Sequence, residues 1–357
     1  MTPLAPASSP TPAHRPHAHR PAAPGSARRR RPAPRRLAAL AAGAAAAALL
    51  LAGCAADTAG AGASDAAATS GPVSVDSCDR TLSFPTGPQR IVSLWPAVTE
   101  MLLQLGAADR LVGQAFTDQS PPLDEYRDAY DRVPVLATGA VDRETLLAAH
   151  PDLIVADGEY HFDGTELPTI DDLAALGIRV YVISSFCHGQ VTTGHVDDAA
   201  TDLTALGTLL GAEPAAADAV ADQRSRLAAV DDRVRGADPV DLAVLQVFDG
   251  AVYADARGLY SDVVARAGGR DVYEDALPAD QYYAEVSVED VARRDPGTIV
   301  YLYSTDAERD SVRADLEARL PGVRAVREGR MLALPSTDFI GSRAVDGVVA
   351  LDALLHG

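Results

Sequence analysis

Strand-length apolar runs alternate with helix-length segments twice along this chain, and one helical stretch of about forty residues separates the two rounds. The first round opens with the strand run Arg90-Ile91-Val92-Ser93-Leu94 and a helical segment over 99–106 that Gly106 stops. Strand runs follow at 111–113, 133–135, 153–156 and 179–183, with helices over 142–149 and 170–176. The second round has strands at 242–247, 298–303 and 331–334, and helices over 259–267, 287–293, 306–320 and 344–355. Alternation of this kind predicts parallel sheets. The break between the rounds is a helix over 197–210, stopped near Gly211, and a second helix that Glu213-Pro214 opens with proline at a tolerated first position. In it Ala217, Val220, Ala221, Arg224, Leu227, Val230 and Val234 form an amphipathic stripe over roughly 22 residues, about 33 Å. The expected fold is α/β: two Rossmann-like lobes with parallel sheets, 77–196 and 237–357, joined through 197–236 by a single long interlobe α-helix.

The segment ahead of the lobes has a different character. Residues 1–53 hold eight arginines and no acidic residue, and Arg28-Arg29-Arg30-Arg31 and Arg35-Arg36 precede an apolar, alanine-rich stretch over 37–52. A basic segment, a short apolar segment and a small-residue end make the pattern of an export signal. The apolar stretch, about 16 residues, falls short of the ~20 that span a bilayer core, so a permanent transmembrane anchor is the weaker reading. Leu51-Ala52-Gly53-Cys54 resembles the lipobox of bacterial lipoproteins, which implies a signal peptide over 1–53 and lipid on Cys54. Small and polar residues over 54–76 then read as a flexible tether.

Charge narrows the partners. The chain carries a net −19, and without residues 1–53 it holds 23 basic against 50 acidic residues, a net −27. No basic stripe is present to neutralise phosphates, which argues against nucleic acid as a partner. An acidic body also stands off from an anionic membrane, so membrane contact is expected through the lipid alone. Of three cysteines, Cys78 and Cys187 remain after Cys54. In an exported protein they are expected to pair; two buried thiols or a metal site are the alternatives.

The run from Arg90 to Glu100, with Leu94-Trp95-Pro96-Ala97-Val98-Thr99 at its centre, is similar to the opening strand and loop of solute-binding proteins for iron-siderophores, haem and vitamin B12. Two phrases strengthen the resemblance: Glu144 to Val155, with His150-Pro151-Asp152, and Val288 to Val300, with Asp295-Pro296-Gly297. Each reads as helix, then x-Pro, then apolar strand, once per lobe. The resemblance covers about residues 80–355. It implies a monomeric receptor, without enzymatic activity or intrinsic cofactor, that binds a ligand between two lobes. The receptor delivers that ligand to an ABC permease and its ATPase. It also implies one acidic docking residue per lobe, for which Glu166 and Glu308 match by position; ordinary solvated charges are the alternative.

In such a fold the ligand meets loops at the carboxyl ends of strands. Trp95, the only tryptophan, follows the first strand and offers a stacking wall or a cover for the lobe core. Tyr160 and His161 follow the strand at 153–156, as ligands to iron or haem, donors to a chelator, or merely exposed residues. In the second lobe Tyr253, Tyr260, Tyr283 and Phe339 are candidate aromatic contacts. Arg343 is either a bidentate partner for a ligand anion or half of a surface salt bridge. The ligand implied is a ferric siderophore, with haem or cobalamin as the alternative and a bare metal ion behind them. The negative body disfavours an anionic catecholate complex and suits a neutral or cationic hydroxamate. GxSxG, HExxH, a P-loop and a strand-to-helix GxGxxG are absent from the sequence, so an exported hydrolase is the minor reading.

Overall fold

The computed structural model describes residues 71–189 and 192–357. The signal segment, Cys54 and the tether up to residue 70 lie outside the described residues.

The described chain opens on a hairpin that the sequence pattern did not announce. β1 (Val73–Ser77) pairs antiparallel with β2 (Arg80–Phe84), so a strand begins within the stretch read as tether. Its apolar signal is short: Val73, Leu82 and Phe84 alone carry the buried face. Cys78 and Asp79 make the two-residue turn, both at positive φ.

The N-terminal lobe follows the predicted rhythm. It contains β3 (Ile91–Ser93), α1 (Pro96–Gln104), β4 (Leu111–Gln114), α2 (Arg127–Tyr130), α3 (Arg143–Ala148), β5 (Leu153–Ala156), α4 (Ile170–Ala175) and β6 (Arg179–Val182). The four strands β3–β6 lie parallel in the order β4-β3-β5-β6. Pro134 keeps 133–135 from becoming a strand, leaving a single bridge between Gln114 and Val135. Asp142 and Thr169 cap α3 and α4 by accepting the N–H groups of Thr145 and Asp172.

The connector is α5 (Asp198–Leu210), which ends on Gly211 in the left-handed region, and α6 (Glu213–Val234), 22 residues long. The C-terminal lobe runs β7 (Val240–Phe248), β8 (Ala251–Asp255), α7 (Gly258–Arg266), β9 (Gly269–Asp271), β10 (Tyr283–Glu285), α8 (Val288–Arg294), β11 (Thr298–Tyr303), α9 (Asp306–Arg319), α10 (Arg324–Arg327), β12 (Met331–Pro335) and α11 (Arg343–His356). Its sheet is mixed, which corrects the all-parallel expectation. In the order β10-β8-β7-β11-β12, β7, β11 and β12 are parallel, while β8 runs antiparallel to both β7 and β10. The cause is Asp249-Gly250, where both residues take positive φ (48° and 74°) and close a tight hairpin instead of opening a loop.

One buried cluster runs through both lobes and the connector. Met101 and Leu102 of α1, Leu203 and Leu206 of α5, Leu227 and Val230 of α6, and Val263, Val348 and Leu351 of the C-terminal lobe belong to it. A close-packed core that crosses the hinge would have to lose contacts on opening, and so resists wide separation of the lobes.

Candidate functional site

The loops at the carboxyl ends of β3, β4, β5 and β6 form the N-terminal side of the site. Trp95 lies one residue past β3, after Leu94, in an extended conformation set by Pro96 at the first position of α1. Its ring lies 5.5 Å from that of Phe116, and Phe116 lies 5.0 Å from His161, which is 4.3 Å from Tyr160. Phe116 sits at φ 60°, a region that bulky residues avoid, and such outliers cluster where a site fixes its side chains. The sequence signal for Phe116 was available, since it follows a strand end like the loops singled out, but the strand over 111–113 was assigned no site residue.

Asp157, the first residue after β5, organises this wall. It is buried and accepts hydrogen bonds from the Tyr160 hydroxyl and from His161, whose Nε2 lies 2.7 Å from Oδ1. The His161 side chain is only 6% exposed. It therefore buttresses Phe116 and Tyr160 and is not an open metal ligand, which corrects one sequence expectation. Tyr160 instead exposes 59% of its surface and packs its ring against Gly158, where a Cβ would come within 2.3 Å. Burial between the two lobes, then Asp157, and then Tyr282 and Tyr260 hold its phenol well above the ordinary tyrosine range.

In the C-terminal lobe five rings make a second wall. Phe339 stacks on Tyr260 at 4.8 Å and 12°, Tyr260 on Tyr282 at 5.5 Å and 18°. Tyr283 follows at 4.8 Å from Tyr282, and Tyr253 at 6.0 Å from Tyr283. Burial pushes the Tyr260 phenol well above its ordinary range, with nearby Asp255 adding to it. Phe339 is fully buried, so it supports Tyr260 from behind and corrects the expectation of a direct contact. Tyr282 is the member that the sequence underrated. It joins the walls at one end, meeting Phe186 of the N-terminal lobe edge-on at 6.4 Å.

Arg343 lies elsewhere than expected. It is 5% exposed, and so is not half of a surface salt bridge. From the start of α11 it donates to Asp338 at 2.6 Å and reaches Glu100 of α1, in the other lobe, at 3.6 Å. Burial raises Glu100 to about 7 and Asp338 to about 6, against the opposing pull of Arg343 in each case. This triad ties the lobes beside a hollow of about 220 Å³ lined by Ser120, Leu123, Asp124, Tyr303, Asp306 and Arg343 itself.

Cys78 and Cys187 form a disulfide. Glu166 and Glu308 are exposed on separate lobes; Glu308 is also tied to its own helix start, accepting the Ser304 N–H at 3.2 Å. Among the described residues no group of three or more His, Cys, Asp and Glu is placed to hold a metal ion.

Known proteins share this architecture. The chain is similar to a vitamin B12-binding protein of Yersinia pestis, 28% identical over 229 residues, which covers 63% of this chain and 73% of that one. It is also similar to the structure of an ABC-type Fe3+-hydroxamate transport system from Saccharomonospora viridis, with 26% identity and a TM-score of 0.67 over 80% of this chain and 99% of that one. A periplasmic haem-binding protein from Pseudomonas aeruginosa is 28% identical with a TM-score of 0.59, over 74% of this chain and 92% of that one. Residues 91–337 match the periplasmic binding protein family across its two lobes and the helix between them, and the chain belongs to that family.

Proposed function

We propose that the chain is the lipid-anchored, extracytoplasmic receptor of an ABC importer, capturing a ferric siderophore between its lobes for a permease and its ATPase. The carrying observation is the pair of aromatic walls, Trp95–Phe116–His161–Tyr160 and Phe339–Tyr260–Tyr282–Tyr283–Tyr253. Such walls hold a ligand by stacking and by the tyrosine hydroxyls. The groups chemically suited to ligating iron are engaged within the protein: His161 with Asp157, and the Tyr160 phenol kept neutral as a donor to the same carboxylate. Iron thus arrives with its coordination already filled by a chelator. Arg343 already faces two carboxyls, Asp338 and Glu100, which offsets its pull on a strongly anionic complex. A neutral or cationic hydroxamate complex fits best. Glu166 and Glu308 are the docking residues of this reading, and it includes no catalytic step.

The ring of Tyr160, 59% exposed, supports a second reading, a flat macrocycle such as haem or a corrinoid stacked on it. A thermal-shift screen with ferric hydroxamates, ferric catecholates, haem and cobalamin separates them. A ligand at a hundredfold excess over Kd stabilises by ~2.7 kcal/mol, and a Soret band marks haem. Tyr160→Ala should weaken the binding of whichever probe shifts the protein by about tenfold, the equivalent of one lost ring contact. Absence of a shift with all four classes overturns the receptor reading.

A further inference from the structure

The Phe186 end of the cleft is fastened by residues outside both walls. β6 is the edge strand of its sheet, and the β1–β2 hairpin is pinned against it through Ser77, whose Oγ donates to the Val182 carbonyl at 3.0 Å and accepts the Val182 N–H at 2.9 Å. The next residue is Cys78, bonded to Cys187 across a sequence separation of 109. Cys78 and Asp79 take φ of 49° and 61°, a conformation disfavoured for residues with a Cβ and kept only where the surroundings impose it.

On the other side of the bond, Cys187 lies in the turn Ser184–Gly189. Its entry is fixed by buried Asp202 of α5, which accepts from the Tyr181 hydroxyl at 2.8 Å, the Ser184 N–H at 3.0 Å and the Ser184 hydroxyl at 2.6 Å. Phe186 therefore stands between two restraints, Asp202 before it and the disulfide after it. Its buried ring meets Tyr282 of the opposite lobe at 80°, and Tyr282 stacks on Tyr260.

We propose that the Cys78–Cys187 disulfide is a positioning group for the cleft: it fixes the turn that carries Phe186, and so sets how the two aromatic walls meet at the Tyr282 end. An edge-to-face contact depends on angle and distance, and a cross-link acts by removing the alternatives a turn would otherwise sample. The bond thus reaches the far lobe through the Phe186 ring and its contact with Tyr282. Its consequence for binding rests on the receptor reading; the interlobe contact does not.

The test compares amide hydrogen exchange in the ligand-free wild type, in Cys78→Ser/Cys187→Ser, and in Phe186→Leu with the disulfide intact. Expected is exchange about tenfold faster at 282–286 of the C-terminal lobe in both variants, with 298–303 unchanged. Faster exchange confined to 73–84 and 182–187 in the double variant, with 282–286 as in wild type, overturns the proposal, because the bond then only staples the hairpin. Should the double variant fail to fold, Phe186→Leu decides alone: unchanged exchange at 282–286 overturns it. A second arm titrates ferrioxamine B, a ferric trihydroxamate, against the fluorescence of Trp95. Where wild type binds, both variants should bind about tenfold more weakly, and equal affinity counts against the proposal. Where wild type gives no quenching with ferrioxamine B, the hydroxamate reading fails, and the exchange result still decides the role of the disulfide.

Discussion

Arg343→Met should lower folding stability by about 3–5 kcal/mol near neutral pH, the range for breaking a buried ion pair by removing one partner. The guanidinium lies between Asp338 of its own lobe and Glu100 of the other, and all three side chains are less than one-tenth exposed. Glu100 has little else to rely on. Its Oε1 accepts the Leu123 N–H at 2.8 Å, while Oε2 is buried without a hydrogen-bond partner. Without the cation, both carboxyls must either stay charged in an apolar setting or take up protons at a pH that does not favour it. Two further measurements separate this from a generic packing loss. The cost should shrink at about pH 5, where groups sitting near 7 and 6 are already neutral. The triple variant Glu100→Gln/Asp338→Asn/Arg343→Met should also be more stable than Arg343→Met alone, because no uncompensated charge remains. A loss under about 1 kcal/mol that ignores pH would place the triad with ordinary exposed pairs and sink the argument.

The triad also marks the limit of what the sequence revealed. Helix and strand periods located β5, β6, α5, α6, β11 and α11 to within a residue or two, because each buries a face whose apolar spacing repeats several times. Short elements escaped. β1 and β2 carry only three buried apolar side chains between them, and β8 is hidden because Asp249-Gly250 after a strand reads as well for a loop as for the hairpin turn it makes. At the site, the aromatic residues at strand ends were legible as a class, since their position follows from the α/β rule. Which ring faces the cleft was not. His161 stands beside Tyr160, which does line it, yet it is drawn onto Asp157, and Phe339 follows a strand end yet is buried behind Tyr260. Burial direction within a loop depends on neighbours from other elements, and spacing along the chain does not encode them. Arg343 failed for the same reason: its partners lie in two lobes, and only Asp338 is close in sequence.

Stability should rise as pH falls from about 8.5 to about 5, the reverse of the usual loss on acidification. The cause is a set of carboxyls that burial raises above their ordinary values: Asp271 to about 8, Asp202 and Glu100 to about 7, and Asp338 to about 6. Asp255, fully buried and next in charge to Asp271, is also raised well above its ordinary value. In the unfolded chain these groups titrate near 3.8 for aspartate and 4.5 for glutamate. The folded state therefore binds protons more tightly than the unfolded state. That contribution is complete below about pH 4 and is lost as pH climbs through 6, 7 and 8. Each unit of difference is worth about 1.4 kcal/mol, so even a partial sum over four groups reaches several kcal/mol. Carboxyls with the opposite sign act elsewhere. Asp142, held low by the Thr145 N–H and hydroxyl, and Asp290, held low by Arg294 and Arg293 despite its own burial, lose their contribution only as pH falls below about 4. Urea denaturation at several pH values between 5 and 8.5 therefore isolates the raised set, and a stability that stays flat or falls as pH is lowered through that window would contradict it. Asp271→Asn assigns the upper part of the slope. Asp271 Oδ2 is buried without a hydrogen-bond partner, and the amide keeps an oxygen for the Tyr273 N–H, which the carboxylate accepts at 2.8 Å. The variant should flatten the curve above about pH 7 and leave the part below it, set by Glu100, Asp202 and Asp338, as it was. Glu100 and Asp338 differ from Asp271 in one respect: their partner Arg343 joins the lobes, so the lower part of the same curve reports the lobe contact as well as the core.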